Sequence, residues 1–397
     1  MLVLRFNLNI KFFIVSSLAT AALVSCSSSQ GAVTSAPTNV PSTKVVAEPK
    51  AFAEYLDQNE ETRIASGTES GSALVASQAY APLKYNGVSI PKGFYYLLSV
   101  TPEGSVAHLL RPDTTGVSLP LSVGPGSFVF KVTSKTGSRL VMLRSGVLSD
   151  VLTLTTDANW VSFASVSGDM LAVAQGGSVV MVSLSTGEIV AQLDIPKAVV
   201  HELVSAGDSV LAVVGSSGEE AIEIHGVSVS SDVQFVLPLD LKLRMGAPVL
   251  IKVPIKEDIL GVDLQVIAPG VFRTEPIFYS SRTSRVATPF SLFDAYGKER
   301  SLPGVLAAFD SLELLASNDG GTVWTSKDAT LTYFKKDKQL WKFPALCRPG
   351  ENQECRVIGA WSSGVLVKEQ LDKSKLPKSN ESAPAWATAA LRFVPAP

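Results

Sequence analysis

Hydrophobic and polar residues alternate in short runs through most of the chain, most clearly in residues 168–193, GDMLAVAQGGSVVMVSLSTGEIVAQL. Apolar or alternating runs at 171–174, 179–184 and 188–193 are separated by the turn sequences Gln-Gly-Gly and Ser-Thr-Gly. Runs of about four to eight such residues, bounded by glycine-containing turns, predict β-strands. The segment therefore predicts a small antiparallel sheet of three strands.

The pattern returns further along the chain. Residues 207–213, GDSVLAV, repeat residues 168–173, GDMLAV, so that Leu211 stands 40 residues after Leu171. Three short strands cannot bury their apolar faces alone, and a period near 40 with several strands per repeat is typical of β-propeller blades. We therefore predict an all-β chain with a single β-propeller, which broadly resembles the WD40-like and quinoprotein-like propellers and no one family closely.

The number of blades follows from seven matching core positions. Their intervals run from 31 to 54 residues, and the positions are Leu97, Leu140, Leu171, Leu211, Leu260, Leu314 and Val365. This spacing predicts about seven four-stranded blades within residues 79–397, with six or eight as alternatives. Prolines interrupt residues 241–302, which are either two blades or an insertion. Propellers normally close by pairing strands from both chain ends, and residues 386–394 are the candidate at the carboxyl end.

Two further segments bear on the propeller. Residues 331–343, LTYFKKDKQLWKF, align without gaps on residues 181–193, MVSLSTGEIVAQL, with apolar residues at matching positions. Residues 51–78 contain AFAEYLDQNEETRI, the best helical candidate after the amino-terminal region. We therefore expect residues 51–78 to form a short helical or irregular lead-in to the propeller.

The amino-terminal sequence has the features of a targeting signal and so predicts where the protein is located. Arg5 and Lys11 precede an apolar run of 13 residues, 12–24, which is too short to span about 30 Å of hydrocarbon as a helix. Residues 1–25 are therefore a predicted signal peptide. The run ends in the sequence Leu-Val-Ser-Cys at 23–26, which resembles the lipobox of bacterial lipoproteins. An ordinary secretory signal with an incidental cysteine is the alternative.

The lipobox resemblance implies a diacylglycerol on the Cys26 sulfur, cleavage before Cys26, and a fatty acid such as palmitate on the new amine. Residues 26–50 are rich in Ser, Thr, Pro and Ala and predict a flexible tether with a mean reach of roughly 25 to 30 Å. We expect a cell-envelope protein anchored on the extracytoplasmic side of a bacterial membrane. Ser27 implies the outer membrane if the source has two membranes.

The charge composition limits the kinds of molecule that the protein can bind. The formal net charge is −2, and 18% of the residues are charged, whereas a nucleic-acid surface needs clustered Lys and Arg. Lys335, Lys336 and Lys338 form the densest basic group and fit a solvated hairpin tip. We therefore expect no nucleic acid as a partner, and the sequence predicts no cofactor.

Once Cys26 is acylated, two cysteines remain. Cys347 and Cys355 bound the sequence CRPGENQEC, and a short loop with Pro and Gly between two cysteines suits a disulfide in an oxidising envelope. A metal pair is the alternative, but it lacks further ligands. We predict the disulfide.

A second motif lies at residues 317–324, SNDGGTVW. It matches the pattern Ser-x-Asp-x-Gly-x-x-Trp and resembles the Asp box of sialidase-like, sortilin-like and photosystem-assembly propellers. The resemblance implies a structural turn without activity, formed by Ser317, Asp319, Gly321 and Trp324. A plain Asp-Gly hairpin turn is the alternative, because only one copy is present and Val323 replaces the usual Thr.

The sequence predicts neither catalytic residues nor a metal site. The nearest match to the Arg-Ile-Pro segment of sialidases is FRTEP at 272–276, which has the wrong spacing. His108, His201 and His225 are the only histidines, and they fall in separate predicted blades, without the spacing of a helix-borne zinc site. Nucleophile-elbow, Walker and dinucleotide-binding motifs are absent from the sequence.

These observations predict a non-enzymatic protein. We expect a membrane-anchored lipoprotein whose propeller is a protein-binding or scaffold module of the cell envelope, either a monomer or part of a hetero-complex. Its expected partners are the bilayer, through Cys26, and an envelope protein. The alternatives are a lipid-anchored glycan-binding protein or glycosidase with a site in the central funnel, and a structural surface antigen.

Overall fold

The computed structural model describes residues 51–155, 161–166, 169–217, 221–224, 226–229, 234–250, 259–268, 271–278, 292–294, 298, 313–316, 321–325, 330–335, 338–344, 346, 355–371 and 387–397. These residues contain 32 strands and no helix, which confirms the predicted all-β class. It follows that no helix in these ranges is long and apolar enough to cross a membrane. The chain divides into residues 1–47 and 48–397, and all described residues belong to the second unit.

Seven antiparallel sheets of three or more strands follow one another along the described chain. Strand β1 (Phe52–Leu56) belongs to the last of them. The first sheet has the order β2 (Arg63–Ser66), β3 (Ala73–Gln78), β6 (Tyr95–Thr101), β7 (Gly104–Leu109), and a hairpin of β4 (Leu83–Tyr85) and β5 (Val88–Ile90) connects β3 to β6. In the second sheet β8 (Thr114–Val117) and β9 (Leu121–Gly124) both pair with β10 (Ser127–Ser134), which is followed by β11 (Gly137–Arg144) and β12 (Val147–Thr153).

The third and fourth sheets follow the same plan. The third has the order β13 (Val161–Val166), β14 (Met170–Gln175), β15 (Ser178–Ser183), β16 (Ile189–Asp194). The fourth has the order β17 (Ala198–Ser205), β18 (Ser209–Ser216), β21 (Phe235–Asp240), β22 (Val249–Leu250), and the hairpin of β19 (Ile222–Ile224) and β20 (Val227–Val229) lies between β18 and β21 in sequence. The three strands predicted in residues 168–193 are therefore confirmed, and β13 adds a fourth.

Three more sheets complete the described chain. The fifth contains β23 (Ile259–Ala268), β24 (Val271–Phe278) and β25 (Leu292–Phe293). The sixth contains β26 (Glu313–Ala316), β27 (Thr322–Thr325), β28 (Leu331–Lys335) and β29 (Lys338–Phe343). The seventh has the order β30 (Cys355–Trp361), β31 (Gly364–Gln370), β32 (Ala389–Pro395), β1.

The sheets succeed one another radially. Contacts between strands of neighbouring sheets join β2 to β9, β9 to β13, β13 to β17, β17 to β23, β23 to β26, and β30 to β2. Successive small antiparallel sheets that meet through their inner strands are the arrangement of a β-propeller. The predicted fold is confirmed, while the number of blades and the closure of the ring stay predictions.

Apolar clusters hold neighbouring sheets together. Leu97 of the first sheet packs in one cluster with Phe130 of the second, and Val213 of the fourth packs with Phe272 of the fifth. The sixth and seventh sheets also share a hydrogen bond, 3.0 Å from Trp341 Nε1 to the carbonyl oxygen of the buried Trp361. Burying one large apolar side chain contributes about 1.5–3 kcal/mol, so each sheet gains its stability by packing against its neighbours.

The two ends of the described chain meet in the seventh sheet. β1 pairs antiparallel with β32, and the rings of Phe52 and Phe393 stack with centroids 5.9 Å apart. The helical or irregular lead-in predicted for residues 51–78 is wrong, because this segment forms β1, β2 and β3 and the propeller begins at Phe52. The partner of β1 lies more than three hundred residues away, so the neighbouring sequence does not show that Phe52–Leu56 is a strand rather than a helix.

The seven predicted core positions fall in seven different sheets, but not in the same strand of each. Leu97 and Leu140 lie in the third strand of their sheets, whereas Leu171 and Leu211 lie in the second. The second and third strands of these sheets are buried on both faces. Each therefore has a continuous apolar run in its sequence, and the sequence does not distinguish one strand from the other. The described part of residues 241–302 holds β22 and the three-stranded fifth sheet.

Candidate binding surface

Most of the predicted site residues lie outside the described residues, namely Cys26, Cys347, Ser317 and Asp319. Cys355 begins β30, and its Sγ lies 3.9 Å from the carbonyl oxygen of Leu346, the residue before Cys347. The disulfide between Cys347 and Cys355, like the lipid on Cys26, stays a prediction.

Two members of the Asp-box motif are described. Gly321 is buried and immediately precedes β27, where a Cβ atom would lie 2.3 Å from the Tyr333 hydroxyl oxygen and 2.7 Å from the carbonyl oxygen of Phe334. Trp324 pairs in register with Thr332 of β28. Gly321 thus permits a close approach between β27 and β28, and the turn itself stays a prediction.

The histidines do not form a common site in the described residues. His108 lies on β7 and His201 on β17, in the first and fourth sheets, while His225 lies outside the described residues. Burial lowers the pKa of both His108 and His201. No group of three or more His, Cys, Asp or Glu side chains suited to a metal occurs in the described part of the chain.

An exposed apolar pair marks the outer edge of the third sheet. β16 is the outermost strand there, and it is bulged: Val182 pairs with Ile189 and Met181 with Ala191, so Val190 is an extra residue. Ile189 is 50% exposed and Val190 53% exposed. A β-bulge re-aims side chains and bends the strand, and here two adjacent large apolar side chains remain in contact with solvent.

The sixth sheet repeats this feature. In β29 Tyr333 pairs with Trp341 and Phe334 with Gln339, so Leu340 is the extra residue of a bulge, and it is 49% exposed. The gapless alignment of residues 331–343 on 181–193 sets Leu340 on Val190. We call Ile189, Val190 and Leu340 the edge residues. Sequence reasoning missed them, although the alignment carried the signal.

The two bulged edges differ in charge. The exposed Glu188 and Asp194 flank the apolar pair of β16, whereas the exposed Lys338 and Lys342 flank Leu340 of β29. The same backbone geometry therefore presents an apolar side chain in an acidic setting on one sheet and in a basic setting on the other. Complementary charge governs the rate and specificity of association more than its affinity.

A groove of about 340 Å³ adjoins the carboxyl end of β16. The groove is lined by Asp194, Ile195, Pro196, Lys197, Ala221, Ile222, Glu223, Ile224 and Met245. The hairpin residues Ile222 and Ile224 are buried in the apolar cluster shared by the third and fourth sheets. Lys197 has φ 58°, an uncommon value for a residue with a side chain, and its carbonyl accepts hydrogen bonds of 2.9 Å from Ser217 N and Oγ.

No family model and no curated protein matches the chain. Among solved structures, the chain is similar to Hsv2 of Kluyveromyces lactis, with TM-score 0.42 and 13% identity over 84% of this chain and 98% of that chain. It is also similar to the β-propeller domain of the trilobed protease of Pyrococcus furiosus, with TM-score 0.46 and 9% identity over 84% of this chain and 96% of that chain. For the acylaminoacyl peptidase of Pyrococcus horikoshii the values are 0.45 and 8%, over 80% and 51%. These structural similarities do not assign a function to this chain.

Proposed function

We propose that this chain is a non-catalytic protein-binding module of the cell envelope that contacts its partner through the edge residues. The observation that carries the proposal is one feature shared by two of the described sheets, an outermost strand in which the extra residue of the bulge is itself an exposed apolar side chain. The bulge of β12 in the second sheet differs, because its extra residue, Val151, is buried. A few side chains in the buried centre of an interface supply most of the binding energy, and burying a large aliphatic side chain there contributes about 1.5–3 kcal/mol. The edge residues are exposed, so they contribute little to the fold.

The bulges also favour one mode of binding. In the described residues no strand pairs with the outer edge of β16 or of β29, and a free straight edge would invite an added strand. A bulge interrupts the ladder of backbone donors and acceptors and disfavours such pairing. We infer that the partner meets these edges through side-chain contacts, with a basic segment at β16 and an acidic one at β29.

Site-specific cross-linking tests the surface. A photo-cross-linking amino acid is placed at position 190 or 340 of the full chain in its native envelope, and at position 149 as a control, because Ser149 is exposed on the outer strand of the second sheet. We expect one reproducible protein adduct from positions 190 and 340 and none from 149. Ile189→Ser should lower the yield at position 190 at least tenfold, because it removes the apolar neighbour of the cross-linking residue, whereas Ser149→Ala should not. Equal yields at all three positions would contradict the proposal.

The lipid anchor is proposed on the lipobox resemblance alone. Cys26→Ala removes the sulfur that would carry the diacylglycerol, so this variant should lose radiolabelled palmitate and leave the membrane fraction. Cys355→Ala is the matched control and should keep both. An anchored and labelled Cys26→Ala variant would overturn the anchor while leaving the edge-residue test untouched. In the part of the chain that the structure describes, no specific contact favours the alternative of a glycan-binding protein or glycosidase.

A further inference from the structure

The two bulged edges carry opposite charges at matching positions. The gapless alignment of the hairpin of the sixth sheet on that of the third sets Lys338 on Glu188 and Leu340 on Val190. Glu188 stands two positions before Val190. Lys338 and Lys342 stand two positions before and after Leu340. At a strand rise of about 3.3 Å per residue, each of these charges lies roughly 7 Å along the strand from an exposed apolar side chain.

The charged side chains at both edges face solvent. Glu188, Lys338 and Lys342 are exposed, and none of them forms an ion pair in the part of the chain that the structure describes. At the end of β16, the Asp194 carboxylate accepts only long hydrogen bonds of 3.3 and 3.4 Å from Gln192 Nε2. Charges around an apolar contact select the partner and its orientation. Each edge therefore offers its charge to a partner of the opposite sign.

One chain cannot bring its own two edges together. β16 is the outermost strand of the third sheet and β29 that of the sixth, and the fourth and fifth sheets lie between them in the succession of contacts. Two identical edges would also repel each other, because Glu188 would meet a second Glu188, or lysines would meet lysines. A contact that satisfies both edges therefore joins β16 of one copy to β29 of another.

We propose that this protein associates with itself head to tail, with the acidic edge of β16 in one copy against the basic edge of β29 in the next. The edge residues of the two copies pack on one another. Glu188 pairs with Lys338 if the two strands run parallel, and with Lys342 if they run antiparallel. This inference rests on the proposed function, since it uses the same edge residues, and it names a second copy of the chain as their partner.

The contact is heterologous, because two different surfaces meet in it. A heterologous contact leaves one free edge at each end of an assembly, so the copies form a row or, if the rotation closes, a ring. With three apolar side chains at its centre the interface is small, and small interfaces form weak, transient complexes. Because its charges are exposed, the association should weaken as the salt concentration rises.

Cross-linking identifies the molecule that meets each edge. A photo-cross-linking amino acid is placed at position 190 or 340 of the full chain in its native envelope, and the digested adduct is analysed by mass spectrometry. We expect an adduct of two copies of the chain, in which position 190 is joined to β29 and position 340 to β16. Adducts that contain only a different protein would overturn self-association and leave the proposed function standing.

Charge reversal tests the complementarity. Glu188→Lys with Asp194→Lys makes both edges basic. Lys338→Glu with Lys342→Glu makes both edges acidic. Each pair of substitutions should lower the yield of the two-copy adduct at least fivefold, whereas all four together exchange the charges of the edges and should restore the yield to within about twofold of the parent chain. A misfolded chain cannot produce such a recovery.

Lys84→Glu with Lys92→Glu is the matched control. Both lysines are exposed, at the hairpin of the first sheet, and their reversal changes the net charge as much as the reversal at β29 does. This control should leave the yield unchanged. If the four edge substitutions together fail to restore the adduct in a chain whose circular dichroism matches the parent, self-association is wrong. Equal adduct yields from positions 190, 340 and 149 would instead overturn the proposed function itself.

Discussion

Single residues set how closely neighbouring strands approach in this propeller. At Gly321 and Gly215 a Cβ atom would come within 2.6 Å of a neighbouring side chain, Tyr333 in one case and His201 in the other. Such distances are far below ordinary contact, so a methyl group there must displace its neighbour. The identity of these residues follows from packing between strands rather than from the flexibility of a turn.

The change Gly321→Ala should destabilise the protein by roughly 1–3 kcal/mol, because the added methyl group would overlap the Tyr333 ring and the carbonyl of Phe334. Urea unfolding followed by circular dichroism measures this loss. Gly116→Ala is the matched control, since its nearest neighbour would be Thr133 Cβ at 3.8 Å, and it should change stability little. Equal effects of the two substitutions would refute the packing argument.

At the scale of elements, strand β1 contributes more to the stability of the fold than its own sequence indicates. Leu56 is buried in the cluster shared by the seventh and first sheets, whereas Ala53 on the same strand is exposed. The hairpin of β4 and β5 adds a hydrogen bond of 3.2 Å from the Tyr85 hydroxyl to the carbonyl oxygen of Tyr55. The chain thus uses its first described strand as the outermost strand of its last sheet.

Leu56→Ala should therefore cost about 2–5 kcal/mol, as truncation of a buried leucine does. Ala53→Ser, three residues earlier on the exposed side, should stay within about 0.5 kcal/mol of the parent. Thermal and urea denaturation of both variants measure these changes in the free energy of unfolding. A dispensable lead-in would instead leave both variants as stable as the parent chain.

At the scale of the whole molecule, the described sheets depend on one another for stability, because apolar clusters link each of them to a neighbour. Effects at distant sites should therefore add in one free energy of unfolding. His108 in the first sheet and His201 in the fourth are such sites. Burial lowers the pKa of each below the ordinary 6.5, so both are neutral in the folded protein where the unfolded chain already takes up protons.

The unfolding free energy should thus be independent of these histidines above pH 6.5 and should fall as the pH drops from there towards their lowered pKa values. The double variant His108→Gln, His201→Gln should show a flatter decline over this range. Chemical unfolding midpoints at about pH 7.5 and 5.5 measure the difference. A parent chain as pH-sensitive as the double variant would show that these two groups are not linked to folding.

The sequence by itself determined the all-β class and the position of most strands. Alternation with period two and glycine-containing turns are local properties, and the strands predicted in residues 168–193 needed nothing else. It also contained the match between Val190 and Leu340. Both residues are apolar, however, and composition alone would have placed them in the core.

Only the tertiary structure decided which strand lies outermost, and with it which apolar residues remain in water. It also paired Phe52 with Phe393. These outcomes depend on contacts between residues far apart in the chain. Their free energy comes from surfaces that exist only once neighbouring sheets have packed, so a local pattern of hydrophobic and polar positions cannot encode them.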